Sequence, residues 1–467
     1  MKPMIIAAVC IALSAAAFCL STGLGTFWPA AWIAPLPILL FAGRAGSRTA
    51  FLAATAAFFF GGFSVLPVLV RVMPPPLLAV VLLLPSLVFA AAVLLARFAS
   101  GRLPAGLAAF VFPAAWVTYE FLISRVSPHG TAGSLAYSQT DVLPLVQIAS
   151  FTGIWGITFV IALIPSALAV AWFRRSARPL APAFSILVGV LVFGLIRLNQ
   201  RPAEPPIRVG LAATDRGVIP AFQTTDPALA LSVANEYADR VRRLAAQGAR
   251  VVVLPEKFVG VTPEDSTQIM QVFSDAARSA NVTLVAGLNR IGLPAPRNVA
   301  AVFAPDGQLR AEYDKHHLLP GPETGYATGA GPGVCASPHG VWGVAICKDM
   351  DFPSWSRKYA MRGVTLLAVP AWDFVLDGRL HSRMAVMRAV ENGFSLARNA
   401  QQGLLTISDA YGRVLAEAPS SAMPEALLVR DVQPGPGATL YTRYGDWFGW
   451  LNVLALAALL AAASLRS

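Results

Sequence analysis

Apolar positions follow two different rhythms along this chain. In the first 200 residues they form long, nearly unbroken runs, Met1 to Leu20 and then approximately 27–43, 50–70, 76–97, 104–123, 151–173 and 179–198, and a further run covers 447–465. Each is close to the ~20 residues a helix needs to cross ~30 Å of hydrocarbon. The pattern therefore predicts eight membrane-spanning helices, seven within 1–200 and one at 447–465. Met1–Leu20 also has the outline of a cleaved leader, but the run is long for one and Ser21-Thr22-Gly23 is a poor cleavage site, so a retained helix is expected.

Over 206–435 the rhythm changes to short apolar runs separated by helix-patterned polar stretches. After the linker Arg201-Pro202-Ala203-Glu204-Pro205-Pro206, strands are expected at Ile207–Ala213, Arg250–Leu254 and Val282–Gly287, alternating with helices over 226–247 and 265–280. Val299–Ala304 and Leu309–Tyr313 flank Pro305-Asp306-Gly307, a hairpin turn signal, and a second hairpin pairs Leu404–Ser408 with Arg413–Ala418. A strand from Val341, a short helix near Ser356–Arg362, a strand Val364–Val369 and a long helix from Arg379 to about Asn399 complete the series. The fold class expected is a polytopic α-helical membrane bundle carrying one extramembrane α/β domain.

Composition sharpens this division. Only 13% of residues are charged and 56% are hydrophobic, about half the charged share of an ordinary soluble domain. The net charge of +11 does not point to nucleic acid, because no Lys/Arg-rich run with interleaved aromatics occurs. The bilayer is the partner this charge fits. Lys2, Arg44, Arg48, Arg97, Arg102, Arg174, Arg175, Arg178 and Arg466 occupy alternate loops, and only Arg71, Arg125, Arg197 and Arg201 the others. Basic loops stay in the cytoplasm. Both termini are therefore expected inside and 206–435 outside, on the periplasmic side of a bacterial inner membrane. The four cysteines imply no disulfide framework.

Three polar residues stand where β-type runs end. Glu256 follows Val251-Val252-Val253-Leu254-Pro255, Lys315 follows the first hairpin, and Cys347 follows Val341-Trp342-Gly343-Val344-Ala345-Ile346. A thiol at a strand end is held by rigid backbone yet reaches a cleft, whereas one inside the run is inert packing. Chemically the trio suits acyl transfer: the carboxylate takes the thiol proton, the ammonium supports thiolate and oxyanion, and the sulfur forms a thioester. Strand-end Glu and Lys are also common surface residues, so spacing alone leaves an unrelated trio equally open. His316, His317, Cys335 and His339 make a second cluster, but adjacent histidines on an extended segment point apart, and no metal site is expected. Trp342, Trp355 and Trp372 either line an acyl groove or fill the core, and Arg383, Arg388, Glu391 and Arg398 read as a solvated or packing face of the long helix.

These local sequences resemble the nitrilase, or carbon-nitrogen hydrolase, superfamily and, within it, the bacterial apolipoprotein N-acyltransferases. Pro255-Glu256, Lys315-x-His317-Leu318-x-Pro320 and Cys347 match its Glu-Lys-Cys triad, and Glu323 falls where the family has a second essential glutamate. Glu120, Arg125, Tyr137-Ser138-Gln139 and Gly153-x-Trp155-Gly156 are similar to its membrane-domain loop; an ordinary aromatic belt is the alternative for these. Lys348 and Asp349 stand where the family has Tyr and Glu, with Asp349 able to keep the acidic role, and Trp372 keeps a tryptophan without the preceding Asn-Asp. The usual tryptophan early in the domain is missing, Phe222 being the nearest aromatic. The resemblance implies an α-β-β-α sandwich flanked by seven helices before and one after, working as a monomer without metal or organic cofactor. It implies transfer of a fatty acyl chain from a phospholipid, through a Cys347 thioester, to the amine of a diacylglyceryl-cysteine lipoprotein. A membrane-tethered amidase or nitrilase would use the same triad with water as second nucleophile.

Overall fold

A computed structural model of the chain describes residues 3–200, 204–337, 340–422 and 424–466. Lys2, Arg201 with the adjoining Pro202 and Ala203, and His339 lie outside the described residues. Two units form, one from the chain up to Asn199 together with Tyr444 onward, the other from Gln200–Arg443.

The first unit is helical. Among the described residues, seven helices are long and apolar enough to cross a membrane: Met4–Ser21, Ser47–Val72, Pro75–Arg102, Ala105–Val126, Trp155–Arg174, Leu180–Leu198 and Trp447–Ser464. The eighth expected run, 27–43, is instead broken into a 3-10 turn, Trp28–Trp32, and a short helix, Leu36–Ala42. Pro29, Pro35 and Pro37 cause the break, since each lacks an N–H and disfavours helix in the residue before it. The Ala34 carbonyl within this break accepts a hydrogen bond from Ser14 Oγ at 2.6 Å, as a backbone inside a membrane bundle requires. The broken segment still runs the length of the bundle. Trp28 and Trp32 bond to Gln139, beyond the C-terminal end of Ala105–Val126, whereas Arg44 lies over Trp172 near the C-terminal end of Trp155–Arg174. Arg174 donates to Leu103 O at 2.7 Å, so the loops carrying Arg44, Arg102 and Arg174 gather at one end.

The second unit contains strands β1 (Ile207–Ala213), β2 (Val251–Val253), β3 (Val259–Val261), β4 (Thr283–Arg290), β5 (Arg297–Phe303), β6 (Leu309–Asp314) and β7 (Gly333–Ser337). They are followed by β8 (Gly340–Val344), β9 (Val364–Trp372), β10 (Ser395–Gln401), β11 (Leu404–Ser408), β12 (Val414–Pro419) and β13 (Ala426–Val432). One sheet has the order β13-β1-β2-β4-β5-β6, with β3 also paired to β4; the other runs β12-β11-β10-β9-β8-β7. Each has a parallel centre, β1-β2-β4 and β8-β9-β10, with antiparallel flanks. Period-two alternation sorts the side chains: Val251 and Val253 join the core that includes Leu366 and Leu396 of the other sheet, while Val252 packs with residues of Pro227–Ala246 and Ser266–Ala280. Pro353–Ala360 and Gly378–Asn392 cover the second sheet, completing the α-β-β-α sandwich.

The expected helix over 379–399 is corrected by the structure. It ends at Asn392, where Gly393 takes φ +73°, and Ser395–Gln401 becomes the buried strand β10, parallel to β9. Its sequence, Ser-Leu-Ala-Arg-Asn-Ala-Gln, is rich in helix formers, and pairing with β9 and β11 overrides that preference. Of the two readings of the charged face, packing holds: Arg388 and Glu391 are fully buried and paired at 3.0 Å, and Arg383 is buried too, whereas Arg398 lies on β10 and not on the helix. Strands β3, β7 and β13 have no counterpart in the sequence reading.

Candidate active site

Glu256 lies just past β2. Leu254 N still donates to Val285 O at 2.8 Å, and Pro255 then ends the ladder because it has no N–H to offer. The turn passes directly over β4, where Gly287 makes room: a Cβ there would lie 2.0 Å from Pro255 O and 2.8 Å from Glu256 Cα. Glu256 N donates to Ala371 O at 3.3 Å and Gln401 Nε2 to Glu256 O at 2.6 Å, so strands of the other sheet hold this turn. Lys315 follows β6, its N–H bonded to Asn298 O at 2.9 Å.

Cys347 follows β8 and opens a 3-10 turn, Cys347–Asp351, with φ +42°. Asp349 braces that turn. Its Oδ2 accepts from Ile346 N at 3.0 Å and Tyr313 Oη at 2.6 Å, and its Oδ1 from His317 N at 2.9 Å. One buried carboxylate thus fixes the cysteine turn to the lysine segment.

The charged groups converge. Glu256 Oε1 accepts from Lys315 Nζ at 2.8 Å and Asn298 Nδ2 at 2.6 Å, while Glu256 Oε2 is buried and accepts nothing among the described residues. Glu323 is saturated: Oε1 takes Asn298 Nδ2 at 2.7 Å and Lys257 Nζ at 2.8 Å, and Oε2 takes Leu319 N at 2.7 Å and Lys315 Nζ at 2.8 Å. Burial would raise the Glu323 carboxyl, but Lys315 and Lys257 bring it down to about 2. Burial opposes the charge on Lys315 as well, yet Glu256 and Glu323 outweigh it and hold the ammonium well above its usual range. The Cys347 Sγ lies 3.4 Å from Trp372 O. Burial, and then the Glu256 charge, push this thiol well above its usual value, against the pull of Lys315 and Arg398. At rest the sulfur therefore keeps its proton.

The structure thus brings Glu256, Lys315, Glu323 and Cys347 into one electrostatic cluster. Trp372 borders it, donating to Gln402 Oε1 at 2.9 Å, with Phe222 edge-on at 4.9 Å. Lys348 turns to Asp351 Oδ2 at 3.2 Å. Trp342 and Trp355 are buried in the core. His316 stacks on Trp355 and His317 on Phe352, both at 3.7 Å, and among the described residues no group of three potential ligands could hold a metal.

The remaining candidates belong to the helical unit. Glu120 is buried and accepts from Trp116 Nε1 at 3.0 Å, Leu135 N at 2.7 Å, Ser134 Oγ at 2.7 Å and Thr158 Oγ1 at 2.8 Å. Gln139 bonds to Trp32 and to Trp28 O, and Tyr137 Oη lies 2.7 Å from Thr131 Oγ1. Glu120, on the helix ending at Val126, and Tyr137 and Gln139, in the loop after it, hold that loop in shape, while half-exposed Arg125 pairs with Asp446 at 3.4 Å.

Sequence reasoning missed Lys257, Asn298, Asp373 and Arg398. Arg398 on β10 makes a buried two-pronged pair with Asp373; burial opposes the guanidinium charge, and Asp373 outweighs it. A faint signal existed for Lys257, a charge in an otherwise apolar run beside Glu256; Asn298 sits inside a strand and gave none, and Arg398 was assigned to the long helix because its strand is rich in helix formers.

Two family descriptions match this chain: carbon-nitrogen hydrolase over residues 218–437 and apolipoprotein N-acyltransferase N-terminal domain over residues 14–167. A relative from Geobacter metallireducens called apolipoprotein N-acyltransferase is 29% identical over 488 aligned residues, covering 94% of this chain and 91% of that one. One of the same name from Methylococcus capsulatus is 29% identical, covering 72% and 70%. The omega-amidase of Homo sapiens is 31% identical over 222 residues, 41% of this chain and 79% of its own. Among solved structures, an amidase from Nesterenkonia sp. is 23% identical with a TM-score of 0.41, covering 53% of this chain and 94% of that one. Helical bundle, sandwich and matches in both halves lead to one conclusion: the chain belongs to the apolipoprotein N-acyltransferase family, within the carbon-nitrogen hydrolase superfamily.

Proposed function

We propose that this chain acylates lipoproteins, moving a fatty acyl group from a phospholipid through a thioester on Cys347 to the amine of a diacylglyceryl-cysteine acceptor. The observation that carries the mechanism is the unequal engagement of the two buried carboxylates: Glu323 has both oxygens occupied, and Glu256 keeps Oε2 free. Glu256 takes the thiol proton as the sulfur attacks the acyl carbonyl. An ammonium has three N–H groups; Lys315 spends two on the carboxylates and directs the third to the oxyanion. The ester C–O bond breaks, Glu256 returns the proton to the leaving alcohol, and a lysophospholipid departs. The acceptor amine then attacks the thioester, Glu256 takes an amine proton, and the C–S bond breaks to leave an amide and, after proton return, the free thiol.

Both substrates are lipids, and a chain carrying its own membrane helices meets them by lateral diffusion, which raises their effective concentration. The arginine loops gathered at one end of the bundle support an inner-membrane protein with that end and both termini in the cytoplasm and residues 206–435 in the periplasm. Each monomer carries one complete site. Similarity to the omega-amidase favours a hydrolytic reading, but it covers 41% of the chain, whereas the acyltransferase relative aligns with 94%.

The test is intact-mass and peptide analysis of the purified full-length protein after incubation with phospholipid. A single fatty acyl group is expected on Cys347, discharged by a diacylglyceryl peptide with a free amine. Glu256→Gln should lower the acylation rate by about 10²- to 10⁴-fold. Turnover of small amides with no acyl adduct would put a hydrolase in its place.

A further inference from the structure

Lys257 is a buried cation beside the cluster that none of the triad chemistry uses. It takes φ +46°, a left-handed conformation that side chains with a Cβ seldom adopt. On an extended strand, neighbours point to opposite faces. The left-handed turn instead lets Glu256 and Lys257, adjacent in sequence, both reach the Asn298–Glu323 pair: Glu256 Oε1 at 2.6 Å from Asn298 Nδ2, and Lys257 Nζ at 2.8 Å from Glu323 Oε1. Its ammonium also lies 5.3 Å from the Tyr326 ring centre and 5.9 Å from that of Trp372.

From this geometry we infer that Lys257 is a positioning residue: its ammonium occupies Glu323 and balances the charge around Cys347, leaving Glu256 as the carboxylate free to accept the thiol proton. Two counts carry the inference. Of the four donors on Glu323, Lys257 supplies one; without it, Oε1 retains only Asn298, and the carboxylate competes harder for the Lys315 ammonium it shares with Glu256. The charges that act on the thiol are Glu256 and Asp373 against Lys315 and Arg398; behind them Glu323 is paired with Lys257, and on the cysteine turn itself Lys348 pairs with Asp351 while Asp349 is buried among Tyr313, Ile346 and His317. Removing Lys257 makes the charge around Glu323 and the triad one unit more negative, and the thiol must lose its proton against it. The inference rests on Glu256 serving as the base, but it concerns ionisation of Cys347 and holds for any acyl substrate.

The test is therefore alkylation of Cys347 by iodoacetamide in the folded full-length protein in detergent, followed across pH by mass analysis of its peptide. Lys257→Met keeps an unbranched side chain of nearly the same length, one atom shorter, and removes the charged nitrogen that lies over Tyr326 and Trp372. It should slow alkylation about tenfold at a given pH and move the profile to higher pH, while Lys257→Arg restores it to within a few-fold. Adding Glu323→Gln to Lys257→Met restores the parent's net charge and should return the profile toward that of the parent. A profile unchanged in Lys257→Met, or a double variant no better than the single, overturns the inference. Should Lys257→Met fail to fold, the double variant against Glu323→Gln alone decides it: Glu323→Gln makes the charge one unit more positive, so the double variant must alkylate more slowly, and equal rates reject the idea. Failure of the acyltransferase reading shows separately, as absence of an acyl adduct on the parent protein.

Discussion

At the scale of single residues, one ionisable group near the cysteine turn sets a pH dependence of its own. His381 Nε2 lies 3.2 Å from Asp377 Oδ2, and its Nδ1 4.0 Å from Asp351, the residue that also holds Lys348. Burial alone would lower this imidazole, but Asp377, then Asp351 and Asp373, bring it up to about 9. Because the folded state binds the proton more tightly than the unfolded chain, its stabilisation is complete below about 6.5 and disappears as pH rises through about 9. The melting temperature should therefore fall between those values, and His381→Gln should melt at a lower, flatter temperature across them. Equal slopes for the two proteins would remove His381 from the account. Of the residues named here, Asp377 and His381 lie four apart in one helical turn, but the charge on Asp351 comes from another element, and sequence spacing carried no sign of it.

At the scale of elements, the site depends on how closely turns approach strands. The Pro255-Glu256 turn rests on Gly287 of β4, and any Cβ at 287 meets backbone oxygen, which cannot swing aside as a side chain would. Gly287→Ala should cost about 1–3 kcal/mol of stability by overpacking, and should lower acylation of Cys347 by more than its share of unfolded protein, since Glu256 is displaced directly. Thermal melts and the acyl adduct, measured on one preparation, check both halves. Strands that bracket the site were legible where the pattern was strong: Ile207–Ala213 is β1 to the residue, and Pro305-Asp306-Gly307 turns β5 into β6. Ser395–Gln401 was not, because a strand buried on both faces need not alternate, and its residues favour helix in isolation.

At the scale of the whole molecule, the arginine pattern makes a topological prediction. Residue 177 belongs to the arginine-rich end of the bundle and residue 133 to the loop after Val126, both exposed. In a background with Cys10, Cys19, Cys335 and Cys347 all replaced by Ala, Gly133→Cys should react with a membrane-impermeant maleimide in intact spheroplasts and Ala177→Cys only after lysis. The opposite result places the α/β unit in the cytoplasm. The prediction depends on the chain crossing along Trp28–Ala42, where three prolines prevent one continuous helix.

The linear sequence determined the division into apolar and α/β regions, most strands and helices, and the three strand-end residues, because these depend on periodicity, turn chemistry and local order. Tertiary structure decided which of them meet. It set Asn298 between two glutamates, turned Lys257 against Glu323, placed Arg398 beside Asp373, and left one oxygen of Glu256 open. Contacts between residues 25 to 66 positions apart arise from strand order and close backbone approach, which no local pattern of residue types encodes.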